Sequence, residues 1–373
     1  MNILILSPTD PTTLNHGAAI RIYNLAKRFA SLGNNVTIIC FLHYRRRHHH
    51  ITTHEKNLTI IKTSLRQTIF SPNFFIKLIL KSDIVQIEFH TLSPIIPFLR
   101  LLGKPIVLDE HGVEISFVRE IHKALERRIT LTHYLKTFLL EWLAVKFSSA
   151  VFVCSKLDGE KIQHIYKISE KKIAVTPNGV DENFFEDIEP YNYGKPAILF
   201  MGSFDHAPNI SAAKFLLNHV IPELFMRNEN VIFVFVGRNP PSWVTQNQFK
   251  GRVKVFANVK DVRPFVAGAD VVVAPIFHGS GTRIKILEYM SLGKPVISTS
   301  KGAEGINVKD GQNILIRNSR QEFVLAILQL LDNTALAKRI GENARKLVKK
   351  EYMWRQIADN ALEAYKMLER APS

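Results

Sequence analysis

The chain alternates between two hydrophobic rhythms. Short, nearly continuous apolar runs rich in β-branched residues read as strands covered on both faces. Ile3–Ser7, Val36–Phe41, Leu58–Lys62, Ile84–Glu88, Ile106–Glu110, Ala150–Cys154 and Ile173–Thr176 predict the strands of a first half. Ile198–Gly202, Val231–Val236, Val253–Ala257, Val271–Pro275, Pro295–Thr299 and Asn313–Ile316 predict those of a second. Between the runs, apolar positions recur at helical spacing, as in Phe323–Leu331, Leu336–Lys350 and Tyr352–Glu369. Strands alternating with helices throughout predict an α/β protein of doubly wound parallel sheets. Asp187 to Pro196 is polar, carries two prolines and predicts an interdomain linker. The expected domains are residues 1–187 and 188–352, with a last helix over 353–370.

The densest chemistry lies from Ala269 to Gly305. A buried strand ends at Pro275, and His278-Gly279-Ser280-Gly281-Thr282 follows. Glycine in such a loop lets backbone N–H groups approach a ligand closely. Arg283 to Leu292 then has helical spacing, with Ile284, Leu287 and Met290 on one side, and Gly293 closes it before Pro295. In open α/β sheets, ligands bind where a loop leaves the carboxyl end of a strand and feeds a helix. The helix start favours anions, and Arg283 and Lys285 add two cations. This loop predicts a phosphate or diphosphate site.

Composition narrows the class. The 373 residues exceed one compact core. Two cysteines, Cys40 and Cys154, are too few for a disulfide framework and suggest a reducing compartment. No apolar run is long enough to span a membrane, and MNILILSP reads as a strand rather than a signal peptide. The expected location is the cytoplasm, including the inner face of the membrane. Net charge is +16, spread over both halves: 24 Lys/Arg against 17 Asp/Glu in residues 1–187, and 25 against 16 in the rest. No nucleic-acid-binding motif accompanies it. An anionic membrane surface fits the excess better. Its candidate contacts are Arg45-Arg46-Arg47-His48-His49-His50 and the amphipathic segment Arg119 to Lys146. That segment sets Leu131, Leu135, Phe138, Leu139 and Trp142 against Lys123, Arg127, Arg128 and Lys136, a pattern that packing on a sheet also explains.

Five motifs in order resemble glycosyltransferase family 4, a group of retaining enzymes with the GT-B fold. They are Ile3–Ser7 with His16-Gly17 and Arg21; Pro177-Asn178-Gly179-Val180-Asp181 with Phe184 or Phe185; Phe200-Met201-Gly202-Ser203; Val259–Pro275 with Asp261; and Ala269–Gly305. The likeness runs over roughly residues 1 to 355, and ordered sets of this kind are far more specific than single motifs. It implies two Rossmann-like domains facing a cleft, the first binding acceptor and the second binding a nucleotide-sugar donor. It also implies a carboxyl-terminal helix that returns to the first domain.

The reaction the resemblance implies moves a sugar from a nucleotide-diphosphate sugar to a hydroxyl of a glycan or lipid-linked acceptor, in cell-surface polysaccharide synthesis. The departing diphosphate needs positive charge. The sequence holds no Asp-x-Asp for a metal, so Arg283, Lys285 and the Gly281-Thr282 turn are the expected stabilisers, with no cofactor. Glu288 matches the glutamate that binds the donor ribose; an i, i+3 pair with Lys285 is the plain alternative. His111, after the strand Ile106–Glu110, matches a histidine close to the reacting sugar. Asp109 and Glu110 are weaker base candidates. Gly17, Gly202, Ser203, Ser280, Gly281 and Thr282 are expected on the donor side, and His16 and Arg21 on the acceptor side.

Two departures from the family pattern involve three positions. Ser280 stands where many members have a second glutamate, and Ser203 and Pro208 stand where many have an arginine and a lysine gripping the diphosphate. A nucleotide-sugar epimerase and a non-catalytic binding homologue remain as alternatives. A dehydrogenase does not fit, since no Gly-x-Gly-x-x-Gly follows either first strand. His48-His49-His50 with His54 read as a basic loop rather than a metal site, because adjacent extended residues do not converge on one ion.

Overall fold

A computed structural model describes residues 1–370 apart from 15, 43–50, 65–71, 126–129 and 247–248; for 51–55 and 121–125 it describes the backbone alone. The basic run Arg45 to His50, together with Arg127 and Arg128, lies outside the described residues, and so do the side chains of His54 and Lys123. The chain forms two compact units, Met1–Asn178 with Trp354–Ser373, and Gly179–Met353.

The first unit holds β1 (Asn2–Ser7), β2 (Asn35–Phe41), β3 (Ile51–Glu55), β4 (Leu58–Thr63), β5 (Ile84–Glu88), β6 (Ile106–Glu110), β7 (Ala150–Val153) and β8 (Ile173–Val175). They form one sheet in the order β3-β4-β2-β1-β5-β6-β7-β8. All neighbours pair in parallel except β3, an antiparallel edge strand beside β4 that apolar patterning did not reveal. Strands β5 and β6 are buried along their whole length, apolar where they enter the sheet and carrying Gln86, Glu88, Asp109 and Glu110 toward their carboxyl ends. One face is covered partly by the helix Gly17–Ser31 and partly by the carboxyl-terminal helix Trp354–Arg370. The latter docks through Trp354, Ile357, Ala358, Ala361, Leu362 and Tyr365, a helical stripe with all six buried.

The second unit holds β9 (Ala197–Met201), β10 (Ile232–Gly237), β11 (Val253–Ala257), β12 (Val271–Ala274), β13 (Val296–Ser298) and β14 (Leu315–Ile316). This sheet is parallel throughout, in the order β11-β10-β9-β12-β13-β14. Chain order runs outward from β9 on one side and from β12 on the other. Their junction is the topological switch point, where ligands bind in open α/β sheets.

The expected linker at 187–196 is not one. Tyr191 N–H donates to Pro264 O at 2.9 Å, and the Tyr193 hydroxyl donates to Phe265 O at 3.0 Å. The Tyr191 ring stacks on Phe265 with centroids 5.0 Å apart and meets Phe256 edge-on at 5.1 Å. Two tyrosines turn a polar-looking stretch into a packed border of the second unit. The change of unit falls earlier, at Asn178/Gly179, because Val180 N–H donates to Tyr352 O and Arg263 donates to Asn183 O.

Candidate active site

At the switch point of the second sheet, β9 ends in Gly202-Ser203 and β12 leads into the loop 275–283. Gly279 and Gly281 have φ of +125° and +70°, the region that disfavours side chains, so both glycines are needed for this turn. The loop delivers the chain to the helix Ile284–Ser291, with Arg283 in the capping position. Arg283 donates to the Ser280 carbonyl at 2.6 Å and to that of Gly281, so its guanidinium closes the loop that carries it. Thr282 is buried and Ser280 is exposed.

Lys285 reaches back over β9. A Cβ placed on Gly202 would stand 2.7 Å from the Lys285 Nζ, so glycine is what lets the ammonium sit over the turn. The ammonium donates to Asn209 Oδ1 at 2.6 Å and lies 4.7 Å from the centre of the Phe200 ring. Asn209, on the helix Ala207–Phe215, donates in turn to the Ser203 carbonyl at 2.7 Å. The same Tyr289 that follows Glu288 offers its hydroxyl to Met201 N–H at 2.6 Å, pinning the end of β9 to this helix. Ser203 itself donates to Asp205. Pro208 opens the Asn209 helix and stands beside Gly279, close to the Arg283 guanidinium. Thus Arg283 and Pro208 both lie beside Gly279, and Asn209 links Lys285 to the Ser203 carbonyl.

Electrostatics mark this spot. Burial pushes the Lys285 ammonium down to about 7, Glu288 opposing the fall and Arg283 adding to it. Burial pushes the Glu288 carboxyl up to about 7 against the pull of Lys285. Both charged forms are held at a cost in the ligand-free protein, and an anion over the helix start would favour the ammonium.

In the first unit a second group of polar side chains gathers at the carboxyl ends of β5 and β6. Arg21, 1% exposed, makes two bonds to Asp109 at 2.8 and 3.1 Å and donates to Pro177 O and Asn178 Oδ1. Burial alone would lower its pKa, but Asp109 and other anions raise it. His111 bonds Glu88 through Nε2 at 2.7 Å and packs tilted against Phe89, ring centroids 4.1 Å apart. Glu110 accepts from His90 twice, from the backbone and from Nδ1, both at 3.1 Å. Burial alone would lower His90; Glu110 outweighs it and the pKa rises to about 9. His16 caps the helix Gly17–Ser31, its Nδ1 accepting from Ala19 N–H at 3.3 Å, and Gly17 opens that helix.

Among the described residues two triads of metal-ligand type lie within 4.8 Å: Glu88, Asp109 and His111; and His90, Glu110 and Glu141. Protein donors already engage their carboxylates. Arg21 holds Asp109, Gln86 and His111 hold Glu88, and His90 holds Glu110. Two backbone N–H groups and the Tyr166 hydroxyl hold Glu141. Their chemistry is that of hydrogen-bonded anchors. Sequence reasoning missed Asn209, Gln86, Glu88 and Tyr365. Glu88 had a readable signal, a carboxylate ending an otherwise apolar strand; Asn209 had none.

Comparison with known proteins agrees with this architecture. The fold superimposes on sucrose-phosphate synthase from Thermosynechococcus elongatus with a TM-score of 0.79 at 16% identity, covering 99% of each chain. It superimposes on Anabaena HepE, solved in complex with UDP-glucose, with a TM-score of 0.71 at 16% identity, covering 98% of this chain and 100% of that one. Two Rossmann-like units shared end to end with such proteins define the GT-B fold. Residues 15–184 match the family described as Glycosyltransferase Family 4, and residues 195–333 match that described as Glycosyl transferases group 1. Together the two family models span most of the chain, which is a glycosyltransferase of GT-B type. A Klebsiella pneumoniae relative, described as an uncharacterized 44.6 kDa protein in the cps region, is 21% identical over 94% of this chain and 96% of its own length.

Proposed function

We propose that this glycosyltransferase is a retaining, metal-independent enzyme that moves a sugar from a nucleotide diphosphate to a hydroxyl of a glycan or lipid-linked acceptor. The observation that carries the reading is Lys285: a half-buried ammonium over the Gly202 turn, beside a helix start and Arg283. Charge developing on a departing diphosphate is what such a preorganised group stabilises. Gly281 and Thr282 offer backbone N–H groups, Ser280 and Ser203 line the same turn, and Glu288 takes the ribose hydroxyls. In the first unit His111 meets the sugar, Gly17 serves the donor side and His16 the acceptor side, while Arg21, expected beside the acceptor, is buried and holds Asp109 and the 177–178 turn in place. The acceptor hydroxyl attacks on the face the diphosphate leaves, and the donor phosphate takes its proton, so no carboxylate nucleophile is required. HepE's complexes with UDP and UDP-glucose favour a uridine donor, and the cps-region relative favours a capsule-like polysaccharide.

The acceptor side includes an anionic bilayer. Among the described residues no helix is long and apolar enough to cross a membrane. The helix Leu131–Phe147, however, buries Thr137, Glu141, Ala144 and Val145 and turns its leucines outward, Leu131 being 71% and Leu139 58% exposed. Its single carboxylate is buried. Leu101 on the neighbouring helix is 86% exposed. Lys146 and Lys172 crowd the end of this face; burial, then Arg100 and Lys146, lowers Lys172 to about 8. An apolar stripe with unpaired basic charge fits an anionic lipid surface.

Incubating purified protein with a panel of nucleotide sugars and lipid-linked sugars, EDTA present, tests the reaction. Transfer with the donor's anomeric configuration preserved is the expected product. Inverted product refutes retention, an epimerised donor assigns the alternative activity, and binding without turnover makes the chain a non-catalytic homologue.

A further inference from the structure

The carboxyl-terminal helix meets the first unit through an apolar stripe, but its last buried member, Tyr365, ends in a hydroxyl. The ring stacks on Phe152 at 5.5 Å and tilts against Phe29 at 5.5 Å. The hydroxyl donates to Gln86 Oε1, Gln86 Nε2 donates to Glu88 Oε1, and Glu88 Oε2 bonds His111 Nε2 at 2.7 Å. Four side chains therefore form one hydrogen-bonded line from the helix, through β5, to the end of β6. Tyr365, Gln86 and Glu88 are buried; only at His111, whose side chain is 11% exposed, does the line open.

The line has a polarity. A glutamine amide has one accepting and one donating end. The Tyr365 O–H claims the accepting end, which turns the NH2 toward Glu88, the orientation that suits a carboxylate. Without that O–H the amide is free to turn over and aim its carbonyl at the carboxylate. Glu88 is sensitive to such a change. Burial and Asp109 push its pKa up, while His111 and Gln86 oppose them, and Arg21 stands across Asp109. Burial also keeps Tyr365 protonated, as a donor. Phe89, between Glu88 and the turn, has φ +66° and ψ 146°, a conformation costly outside glycine, and its ring packs tilted against that of His111.

We propose that Tyr365 is a positioning residue for His111: acting through Gln86 and Glu88, it fixes the ring nitrogen at which His111 holds its proton. Seating of the carboxyl-terminal helix thereby sets the state of the one member of the line that opens to solvent. Its bearing on catalysis rests on His111 meeting the sugar; the relay itself does not.

The test is the ring ¹⁵N spectrum of His111 in the full ligand-free chain, assigned with His111→Gln. Wild type is expected to show Nε2 as a protonated nitrogen bound to a carboxylate. Tyr365→Phe, which keeps the ring, and Gln86→Leu, which cuts the line one link nearer, should both displace that signal in the same direction. Ala361→Gly, which loosens the same helix without touching the line, should not. An unmoved signal in Gln86→Leu, or an equal displacement in Ala361→Gly, overturns the proposal. Turnover separates it from the functional reading. About a tenfold fall in kcat with KM unchanged in Tyr365→Phe supports both. A displaced signal with unchanged kcat keeps the relay and removes His111 from the chemistry.

Discussion

The two units place polar groups at equivalent points, the carboxyl ends of central parallel strands, yet treat them in opposite ways. In the first unit each buried charge has found protein partners: Arg21 with Asp109, His90 with Glu110, and Glu88 with Gln86 and His111. In the second, Lys285 and Glu288 share a helix turn and are both drawn by burial toward neutrality near pH 7. A closed network holds a surface in shape. A half-buried cation and carboxyl, each drawn toward its neutral form, make a site whose electrostatics improve when an anionic ligand arrives. The proposed donor site therefore belongs with the second group, and the network of the first holds His111, the proposed sugar contact, in position.

Arg21→Ala should break the contrast most severely. It strips Asp109 of its partner in a site closed to water, and loss of one member of a buried pair costs about 3–5 kcal/mol. Thermal unfolding measures it, and a variant as stable as the wild type would deny the network its structural role. Lys285→Ala should leave stability near wild type, or raise it, while turnover falls roughly 10²–10³-fold. A steady-state assay beside a melting curve separates the two effects. Glu288→Gln keeps the shape and removes the anion; donor affinity should weaken about tenfold, near 1.4 kcal/mol, by calorimetric titration. Unchanged affinity would return Glu288 to a simple i, i+3 partner of Lys285. The smallest effect belongs to the outward leucines. Leu135→Glu with Leu139→Glu should reduce flotation with anionic vesicles several-fold and leave flotation with neutral vesicles low throughout.

The pattern of apolar runs disclosed nearly every parallel strand because such strands are buried on both faces and have no polar alternation to confuse them. Strand β3 escaped because an antiparallel edge carries mixed residues such as Thr52, Thr53 and His54. The border of the units was misplaced because Tyr191 and Tyr193 hide large apolar faces among prolines and charges. In the Leu131–Phe147 helix the leucines point out, since Glu141 is drawn inward to accept from the backbone N–H groups of Glu114 and Ile115. In the proposed donor site, the sequence singles out Gly202, Gly281, Arg283 and Lys285 because glycines after a strand and cations at a helix start suit an anion. Asn209 and the line from Tyr365 to His111 join residues far apart in the chain; nothing local marks them.

The central claim is that Lys285 makes the second unit a diphosphate site without a metal. The direct measurement is titration of UDP, with ADP and GDP beside it, into wild type and Lys285→Ala in EDTA, repeated from about pH 6 to about pH 9. A bound diphosphate favours the ammonium, whose pKa in the free site is lowered to about 7. Affinity should therefore be full below that value and weaken above it, by at most about tenfold per pH unit. Lys285→Ala should bind far more weakly and lose that slope. Equal affinity in the two proteins, or wild-type binding that appears only when a divalent cation is restored, would contradict the account.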